Sequence, residues 1–443
     1  MVTSESEFLY PVQPQELVSA TNGVLSQRLE VQFTAGITLH DVYSILEEIP
    51  ANIIEWIDDL SICTLYLEPV VDRDTVLREL EALQEVAEVG PSVLLYPCAV
   101  SRRRIGDDRY AVQLDMSLAA IGADISWGIP SPPRPTIAVI DSGYDSDHPD
   151  LLSSDIRAIG ISPLFGLEGE DTLGHGTNVL GIMAASEGNG GIRGLASAAA
   201  KFLAIETHNR DGGTPSPHIA KGILLANKEG ARIINMSFGS KRGSGESPAL
   251  REACFKAYSN GCVLVAGTGN NGIEPIPYPA AYDYVLAVGG GNLYGPNQNS
   301  NVGRSLVYAS YYWVTTKRGG GYDFAVGGTS LSCAAVSALA AWILLPSAHA
   351  NWPPDDVYTV IREYCNSSGY NDEEGFGVID FFRATFRASE TAFPDAPGGF
   401  TAESQASGIA LHWDLLAYPE CGVHKLSALS ITPVMDREQP SKR

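Results

Sequence analysis

The sequence lacks the long apolar runs that a membrane-spanning protein needs. Its longest such run, from Ala334 to Leu345, is too short to cross a bilayer and predicts a buried helix instead. The first residues, MVTSESEFLYPVQPQ, contain neither the basic nor the apolar region of a signal peptide. The localisation therefore stays open: the chain is cytoplasmic at face value, and secreted if its start was assigned too late.

Cysteine and positive charge are also scarce. The seven cysteines stand at irregular spacings without a CxxC pair, which favours buried, reduced thiols over a zinc site or a disulfide framework. Lysine and arginine number 29 against 52 acidic residues, which gives a formal charge of −23. Such a surface repels phosphate and anionic lipid, so we expect no nucleic acid and no membrane as partner. We expect a monomer.

The chain divides into segments with different patterns. Residues 28–97 follow the order βαββαβ, which predicts a small ferredoxin-like α+β unit. Farther along, apolar runs such as PTIAVID and ARIINMSF alternate with helical stretches, which predicts an α/β domain with a doubly wound, mostly parallel sheet. The predicted domains are a flexible lead (1–27), the ferredoxin-like unit (28–98), a linker (99–106), the α/β domain (107–390) and a tail that resembles a truncated β-sandwich module (391–443).

Three motifs hold the residue types of nucleophilic catalysis. Asp141 ends an apolar strand in TIAVIDSGYDSDHPDL, His175 lies between glycines in DTLGHGTNVLGIMAA, and Ser330 opens a small-residue helix in FAVGGTSLSCAAVSALAAW. Each alone has a plainer explanation: a turn-forming aspartate, a structural histidine and a helix N-cap. Together they stand in the order acid, imidazole, hydroxyl, which differs from the order in chymotrypsin-like enzymes and in α/β-hydrolases.

The motifs and the matter between them, over about residues 107–387, resemble the subtilisin-like serine proteases (subtilases). Further matching segments are GIRGLASAAAKFLAIE, GARIINMSFGS, VLVAGTGNNG, YPAAYDYVLAVGG and EEGFGVID. The resemblance implies a serine endopeptidase with a catalytic triad of Asp141, His175 and Ser330, with Asn270 as oxyanion donor and a protein or peptide as substrate. The substrate-binding positions that it implies are Ser237, Phe238, Gly239, Gly269, Tyr278 and Ala280.

The resemblance also gives the N-terminal unit a role. Subtilases are often made as zymogens with a ferredoxin-like prodomain, so the resemblance implies that this unit is an intramolecular inhibitor. Its inhibitory strand would end near Tyr96, Pro97 and Cys98, and cleavage would lie between there and Asp107.

The sequence departs from the family pattern at several positions. Asn178 stands in place of a second histidine, Ala334 and Ala335 in place of a Pro-His pair, and Ala280 in place of a frequent glycine. No cofactor is required, but Asp150 and Asn189 match a region where many subtilases bind calcium. The alternative there is a glycine-rich turn that holds no ion.

Two other functions compete with proteolysis. The first is a catalytically silent subtilase fold that acts as a binding protein. The second is nucleotide binding, suggested by GGGNLYG at residues 289–295, but loose glycine spacing is weak support and no acidic residue follows at a suitable distance.

Overall fold

The computed structural model describes residues 24–47, 49–97, 101–102, 121, 123, 133–161, 170–186, 191–207, 213–241, 244–272, 276–292, 295–303, 306–346, 348–366, 375–388, 401–405, 408–412 and 429–431. The chain divides into two compact units, Met1–Ser389 and Glu390–Arg443, and each is described by itself.

The N-terminal part of the first unit has the predicted βαββαβ order. Its elements are β1 (Val24–Phe33), α1 (Leu39–Ile45), β2 (Asn52–Ile57), β3 (Ile62–Tyr66), α2 (Arg73–Glu81) and β4 (Val86–Pro97). The strands form an antiparallel sheet in the order β4-β1-β3-β2. The first strand begins at Val24, inside the segment predicted as a flexible lead. We call residues 24–97 the N-terminal module.

Local sequence explains how this module is built. Alternate residues of β1, such as Leu29 and Val31, are buried in one apolar core together with Val42 of α1 and Leu80 of α2. Helix α1 starts at a capping box in which the Thr38 side chain accepts the Asp41 N–H, and the Asp41 side chain accepts the Thr38 N–H. The module therefore has a small core of its own.

The rest of the first unit is an α/β domain. Its strands are β5 (Ser101–Arg102), β6 (Thr136–Asp141), β7 (Ile156–Gly160), β8 (Lys201–Glu206), β9 (Thr214–Pro215), β10 (Ile233–Met236), β11 (Phe238–Ser240), β12 (Val263–Gly267), β13 (Leu286–Asn292), β14 (Gly295–Pro296), β15 (Val307–Ser310), β16 (Tyr312–Thr316), β17 (Tyr322–Gly327), β18 (Cys365–Asn366) and β19 (Val378–Ile379). Its helices are α3 (His175–Ala184), α4 (Ser216–Lys228), α5 (Pro248–Ser259), α6 (Thr329–Leu344), α7 (Pro354–Glu363) and α8 (Phe381–Ala388).

The large sheet confirms the predicted doubly wound architecture. Its strand order is β18-β19-β15-β13-β12-β10-β6-β8-β7, with β14 beside β13, and every pair is parallel except those made by β14 and β18. Strand β6 lies between β8 and β10, so the chain winds outward from it in both directions. In such sheets the carboxyl end of the strand at this switch point is the usual place for functional groups.

Helix α6 fills the centre of the domain. All of its residues are buried, which confirms the buried helix predicted from its apolar run. Ala334 and Ala335, the replacements for the family's Pro-His pair, lie within this helix, which continues without interruption from Thr329. None of the helices in the described ranges is long and apolar enough to span a membrane.

The N-terminal module packs against the α/β domain through paired strands. Strand β4 pairs antiparallel with β9 and with β11, so that Gly239 lies opposite Tyr96. Buried polar groups add to this contact. Glu30 of β1 is fully buried and accepts hydrogen bonds from the Ser216 hydroxyl (2.5 Å), the Ser247 hydroxyl (2.6 Å) and the Ala249 N–H (3.1 Å). These donors belong to the N-terminal ends of α4 and α5, where a negative charge is favourable.

Ion pairs lie in the same interface. Glu55 of β2 is buried 3.0 Å from the ammonium of Lys221 on α4. The Arg251 guanidinium on α5 pairs with the more exposed Glu88 of β4. The contact between module and domain is therefore polar as well as apolar, and part of it is charged.

In the second unit, β20 (Thr401–Gln405), β21 (Gly408–His412) and β22 (Leu429–Ile431) form an antiparallel sheet in that order. These strands lie within residues 391–443, the segment predicted as a truncated β-sandwich module. Cysteines 63, 254, 262, 333 and 365 are free and buried, as predicted, whereas Cys98 and Cys421 lie outside the described residues.

The burial of Glu30 predicts a pH-dependent stability. Burial raises the pKa of Glu30 to about 7, although the hydrogen bonds that it accepts act in the opposite direction. The folded chain thus holds this proton more tightly than the unfolded chain. The stabilisation is complete below pH 4.5 and is lost as the pH rises to about 7. The loss amounts to about 3 kcal/mol of the free energy of unfolding.

Urea unfolding between pH 4 and 8 measures this slope, in a chain that carries Ser330→Ala to prevent any self-digestion. Glu30→Gln should flatten it, whereas Glu88→Gln, which changes a carboxylate exposed by 40% in the same interface, should not. An equal slope in the Glu30→Gln chain would show that another group carries the proton.

Candidate active site

Asp141 and His175 are joined by a direct hydrogen bond. Asp141 is the last residue of β6, and His175 is the first of α3. The His175 Nδ1 lies 2.8 Å from the Asp141 Oδ1, which also accepts the N–H of Ser142 at 2.8 Å. With the Nδ1 proton directed at the carboxylate, the Nε2 of the neutral ring is left as a proton acceptor. The structure thus brings together the acid and the imidazole that the sequence motifs singled out.

Glycine makes this approach possible. A Cβ on Gly176 would lie 2.0 Å from the carbonyl oxygen of Gly143, so a larger residue would push α3 away from the turn that follows Asp141. Gly174, which precedes the helix, has a φ of +86°, in the left-handed region that glycine tolerates best. The two glycines that flank His175 therefore serve geometry, as the GHG motif suggested.

Burial and charge act in opposite directions on the imidazole. Burial alone would lower the pKa of His175, but the charge and hydrogen bond of Asp141, together with the charge of Asp171, outweigh it and raise the pKa. Within the described part of the chain, the buried Nε2 has no hydrogen-bond partner. An acceptor nitrogen of this kind is suited to take a proton from an incoming hydroxyl.

Ser330 is held by hydrogen bonds to Ser237. It is the second residue of α6 and is completely buried. Its Oγ donates to the carbonyl of Ser237 (3.0 Å), and the Ser237 hydroxyl donates to the carbonyl of Ser330 (2.9 Å). The hydroxyl is thus hydrogen-bonded to the segment before β11 and not to His175. Its position near a helix N-terminus favours a negative charge that develops beside it.

Asn270 is fixed beside this helix start. Its Oδ1 accepts the N–H of Thr329 at 2.9 Å, and the Thr329 hydroxyl accepts the N–H of Gly269 at 3.0 Å. Because a backbone N–H can only donate, the first bond identifies which end of the Asn270 amide is the oxygen. Asn270 is therefore bound to Thr329, the residue immediately before Ser330.

The other predicted substrate-binding residues lie in β11 or near it. Phe238 and Gly239 lie in that strand, and the N–H of Ser240 donates to the carbonyl of Tyr278 at 2.9 Å. A Cβ on Gly239 or on Gly269 would contact the ring of Pro277, at 2.9 and 3.7 Å. The Tyr278 ring packs on Tyr282 with centroids 4.7 Å apart. Ala280 is buried in the core that also contains Phe238.

The N-terminal module occupies the β11 edge. Pro97 pairs with Phe238, and after three residues outside the described ranges Ser101 pairs with Gly327 of β17. Strand β17 leads through Gly328 and Thr329 to Ser330. Strand β4 is therefore paired with β11, and β5 is paired with the strand that leads into the serine.

The proposed calcium site is described only in part. Asp150 is buried, and its Oδ2 accepts the N–H of Ile192 at 2.9 Å, while Asn189 lies outside the described residues. The described residues contain no cluster of three His, Cys, Asp or Glu side chains that could hold a metal ion. The chemistry of carboxylate and amide oxygens fits calcium, but the described residues contribute one carboxylate that already has a backbone partner.

Sequence reasoning missed Asp171. This carboxylate is buried and lies in the loop before His175, where it accepts hydrogen bonds from the segment after Asp141 and from the segment before His175. An acidic residue within one turn of a predicted helix start was the available signal. By contrast, Asn178, the replacement for the second histidine, donates to the carbonyl of Thr316 at 2.6 Å and links α3 to β16.

Comparison with known proteins assigns the family. The model described as "Subtilase family" matches residues 134–377, which is 244 of the 443 residues. The chain belongs to the subtilase family of serine proteases. The matched residues include the strand that ends at Asp141, the motifs around His175 and Ser330, and Asn270. The predicted family is thereby confirmed.

Individual proteases are similar in sequence to this subtilase. It is 37% identical over 162 residues to the major intracellular serine protease of Bacillus subtilis (strain 168), a match that covers 34% of this chain and 50% of that protein. It is 31% identical over 258 residues to subtilisin BL of Lederbergia lenta, which covers 56% of this chain and 90% of that protein.

A solved structure shows the same fold. Fervidolysin from Fervidobacterium pennivorans, a keratinolytic enzyme related to subtilisin, superposes with a TM-score of 0.68 at 22% identity. The match covers 84% of this chain and 62% of fervidolysin. It supports the subtilisin-like fold predicted from the sequence.

Proposed function

We propose that this subtilase is an endopeptidase that hydrolyses peptide bonds through an acyl-enzyme, with Asp141, His175 and Ser330 as its triad. The observation that carries the proposal is the buried hydrogen bond between Asp141 and the Nδ1 of His175, which leaves Nε2 as a base. Protein or peptide chains are the substrates, and we expect the enzyme to act as a monomer.

The proton moves in a defined direction. The Ser330 hydroxyl leaves the Ser237 carbonyl, gives its proton to the Nε2 of His175, and its oxygen attacks the scissile carbonyl carbon. The imidazolium, stabilised by Asp141, then returns the proton to the leaving amine as the acyl-enzyme forms. A water molecule repeats the sequence and releases the acid. The oxyanion would be bound by the Asn270 amide and the Ser330 N–H.

Substrate would bind by strand addition to β11. An extended peptide would use the backbone of Phe238 and Gly239, which β4 now pairs with. Side chains before the cut would enter a site formed by Gly269, Tyr278 and Ala280. These residues are small or aromatic, so hydrophobic residues should be preferred there.

The same pairing supports a zymogen. Tyr96 and Pro97 lie opposite Gly239 and Phe238, as substrate would, and Ser101 lies opposite Gly327, three residues before Ser330. We place self-cleavage between Pro97 and Ser101, a narrower interval than the sequence implied. The N-terminal module would then remain as a bound inhibitor until it is released.

The rival function is a silent fold that only binds peptides. A binding protein would need the β11 edge but has no use for a buried carboxylate–imidazole pair, because burying two such groups is costly. The pair therefore favours catalysis. Labelling of Ser330 by a fluorophosphonate would separate the two functions, because a silent fold would not react.

Ser330→Ala should abolish peptide hydrolysis and keep the chain intact. Intact-mass analysis of the wild-type protein should show a new N-terminus between residues 98 and 101, and the variant should show the uncut mass. Ser332→Ala, which removes a buried hydroxyl of the same helix that donates to Ser310, serves as the matched control. Wild-type hydrolysis by the Ser330→Ala protein would refute the proposed triad.

Asn270→Ala should lower kcat by about 10²–10³-fold, which is the loss observed when one oxyanion donor is removed from serine proteases of this kind. KM should change little, because the interaction belongs to the transition state. Steady-state kinetics on a chromogenic peptide measure both constants. Asn271→Ala, at the exposed neighbouring residue, should keep the wild-type kcat. Similar kinetics for the two variants would assign the oxyanion site elsewhere.

We also propose that Asp150 and Asn189 bind calcium. Added calcium should then raise the midpoint of thermal unfolding, because an ion that binds only the folded chain stabilises it. Asn189→Ala should reduce this response, and magnesium at the same concentration should give a smaller one. Equal midpoints with calcium and with a chelator would show that the loop binds no ion.

A further inference from the structure

Asp171 is a buried carboxylate that the proposed chemistry does not use. It is 2% exposed and lies four residues before His175. Its Oδ1 accepts the Ser142 hydroxyl (2.7 Å), the Leu173 N–H (3.0 Å) and the Gly174 N–H (2.7 Å). Its Oδ2 accepts the N–H (2.8 Å) and the hydroxyl (2.6 Å) of Thr177. Both oxygens are therefore fully engaged as acceptors.

These donors come from both halves of the catalytic pair. Ser142 follows Asp141 directly, and its N–H binds the Asp141 carboxylate. Gly174 and Thr177 lie on either side of His175. The Ser142 hydroxyl, which donates to Asp171, also accepts the N–H of Gly176 at 2.9 Å. One carboxylate thus connects the end of β6 to the start of α3.

A carboxylate is the one side chain of this size that fits all these partners. Three of the five donors are backbone N–H groups, which cannot act as acceptors. An asparagine amide would turn its NH₂ group toward at least one of them. Loss of a buried partner leaves that N–H unsatisfied, which is costly.

We propose that Asp171 is a positioning residue for catalysis: it fixes the His175 ring against Asp141 and favours, by its charge, the imidazolium that forms during the reaction. The inference rests on the proposed function of His175 as the base. Asp171 itself would touch neither substrate nor the reacting atoms.

The electrostatic part of the proposal has a definite sign. The N-terminal end of α3 carries partial positive charge, which disfavours an imidazolium there, and a carboxylate at that position cancels it. The charge of Asp171 acts with Asp141 to raise the pKa of His175. Removing the charge should therefore lower this pKa.

Other charged groups lie around the start of α3, and the variants that test Asp171 must leave them unchanged. Asp145 donates its N–H to the Thr177 hydroxyl, and its carboxylate accepts the N–H of Gly319. The Cβ of Arg318 lies 3.5 Å from a Cβ built on Gly174. Asp323 of β17 pairs with Lys317 and lies 3.4 Å from the amide nitrogen of Asn178, which is farther along α3.

The test is Asp171→Asn in the full chain, measured as kcat and KM against pH on a peptide substrate. We expect kcat to fall by about 10- to 100-fold through misplacement of the base, with KM little changed. The acid limb of the kcat/KM profile should move to lower pH, because a base with a lower pKa stays neutral at lower pH. A merely structural role would not move this limb.

Two matched variants separate charge from position. Ser142→Ala removes one hydrogen bond of Asp171 but keeps its charge, so kcat should fall with the acid limb unmoved. Asp147→Asn removes the charge of an exposed aspartate nearby and should change neither. Wild-type kcat and an unmoved limb in Asp171→Asn would overturn the proposal. A lower kcat with an unmoved limb would overturn its electrostatic half.

A second readout does not depend on activity. In the Ser330→Ala chain, an NMR titration should show a lower His175 pKa when Asp171→Asn is added. An unchanged His175 pKa would overturn the electrostatic half of the proposal, and this holds even if the wild-type protein has no peptidase activity. Absence of wild-type activity would instead refute the proposed function. If Asp171→Asn fails to fold, Thr177→Val replaces it: it removes one donor, and an unchanged kcat would overturn the positioning role.

Discussion

The hydrogen bond between Asp141 and His175 is the interaction on which the rest of the site depends. It joins two groups that are almost completely buried, and burial alone disfavours charge on either of them. The surroundings also supply a donor to the carboxylate, the N–H of Ser142, which stabilises its negative charge. A histidine held in this way keeps one tautomer and one ring orientation, which a base needs before substrate arrives.

The fold provides the place for this bond. Strand β6 lies at the switch point of the parallel sheet, and its last residue, Asp141, contacts His175 at the start of α3. The approach of α3 requires a glycine at position 176, because a Cβ there would overlap Gly143. Backbone geometry, more than side-chain packing, therefore determines the distance between the acid and the imidazole.

The N-terminal module solves a problem that substrate binding creates. A strand edge that can accept a peptide is also open to unwanted pairing with other chains. Here β4 covers β11, and the neighbouring polar contacts of Glu30 and Glu55 reach α4 and α5. The same edge that would recognise substrate is satisfied by the chain itself, and the buried Glu30, whose pKa is raised by burial, makes that contact sensitive to protonation.

Local pattern predicted much of this molecule. The βαββαβ order, the parallel strands and helix α6 follow from hydrophobic periodicity, and Asp141 and His175 from motifs whose glycines have geometric reasons. Other features depend on residues distant in the sequence. The pairing of Ser101 with Gly327 joins segments more than 200 residues apart, and strand β17, which lies between β16 and β5, shows only weak alternation of buried residues.

Asp171 shows a second limit of sequence reasoning. Its motif DTLGHGT gives an acidic residue near a helix start, which is also what an ordinary exposed cap looks like. Only the fold reveals that the residue is buried and that Ser142, 29 residues earlier, is among its donors. A residue that links two segments distant in the sequence has no recognisable motif around it, because its role is a contact that forms only in the folded chain.

The position of Ser330 shows where the site is rigid and where it is not. The backbone around it is fixed by the bond from Thr329 N–H to Asn270 and by the bond from the Ser237 hydroxyl to the Ser330 carbonyl. Because that backbone is held, the Ser330 hydroxyl can leave the Ser237 carbonyl by rotation about the Cα–Cβ bond of Ser330. Catalysis by differential binding requires the oxyanion donors to be in place before charge develops. In the proposed mechanism, a fixed helix start with a single rotating hydroxyl would meet that requirement, since the oxyanion donors would stay still while the Ser330 hydroxyl moves.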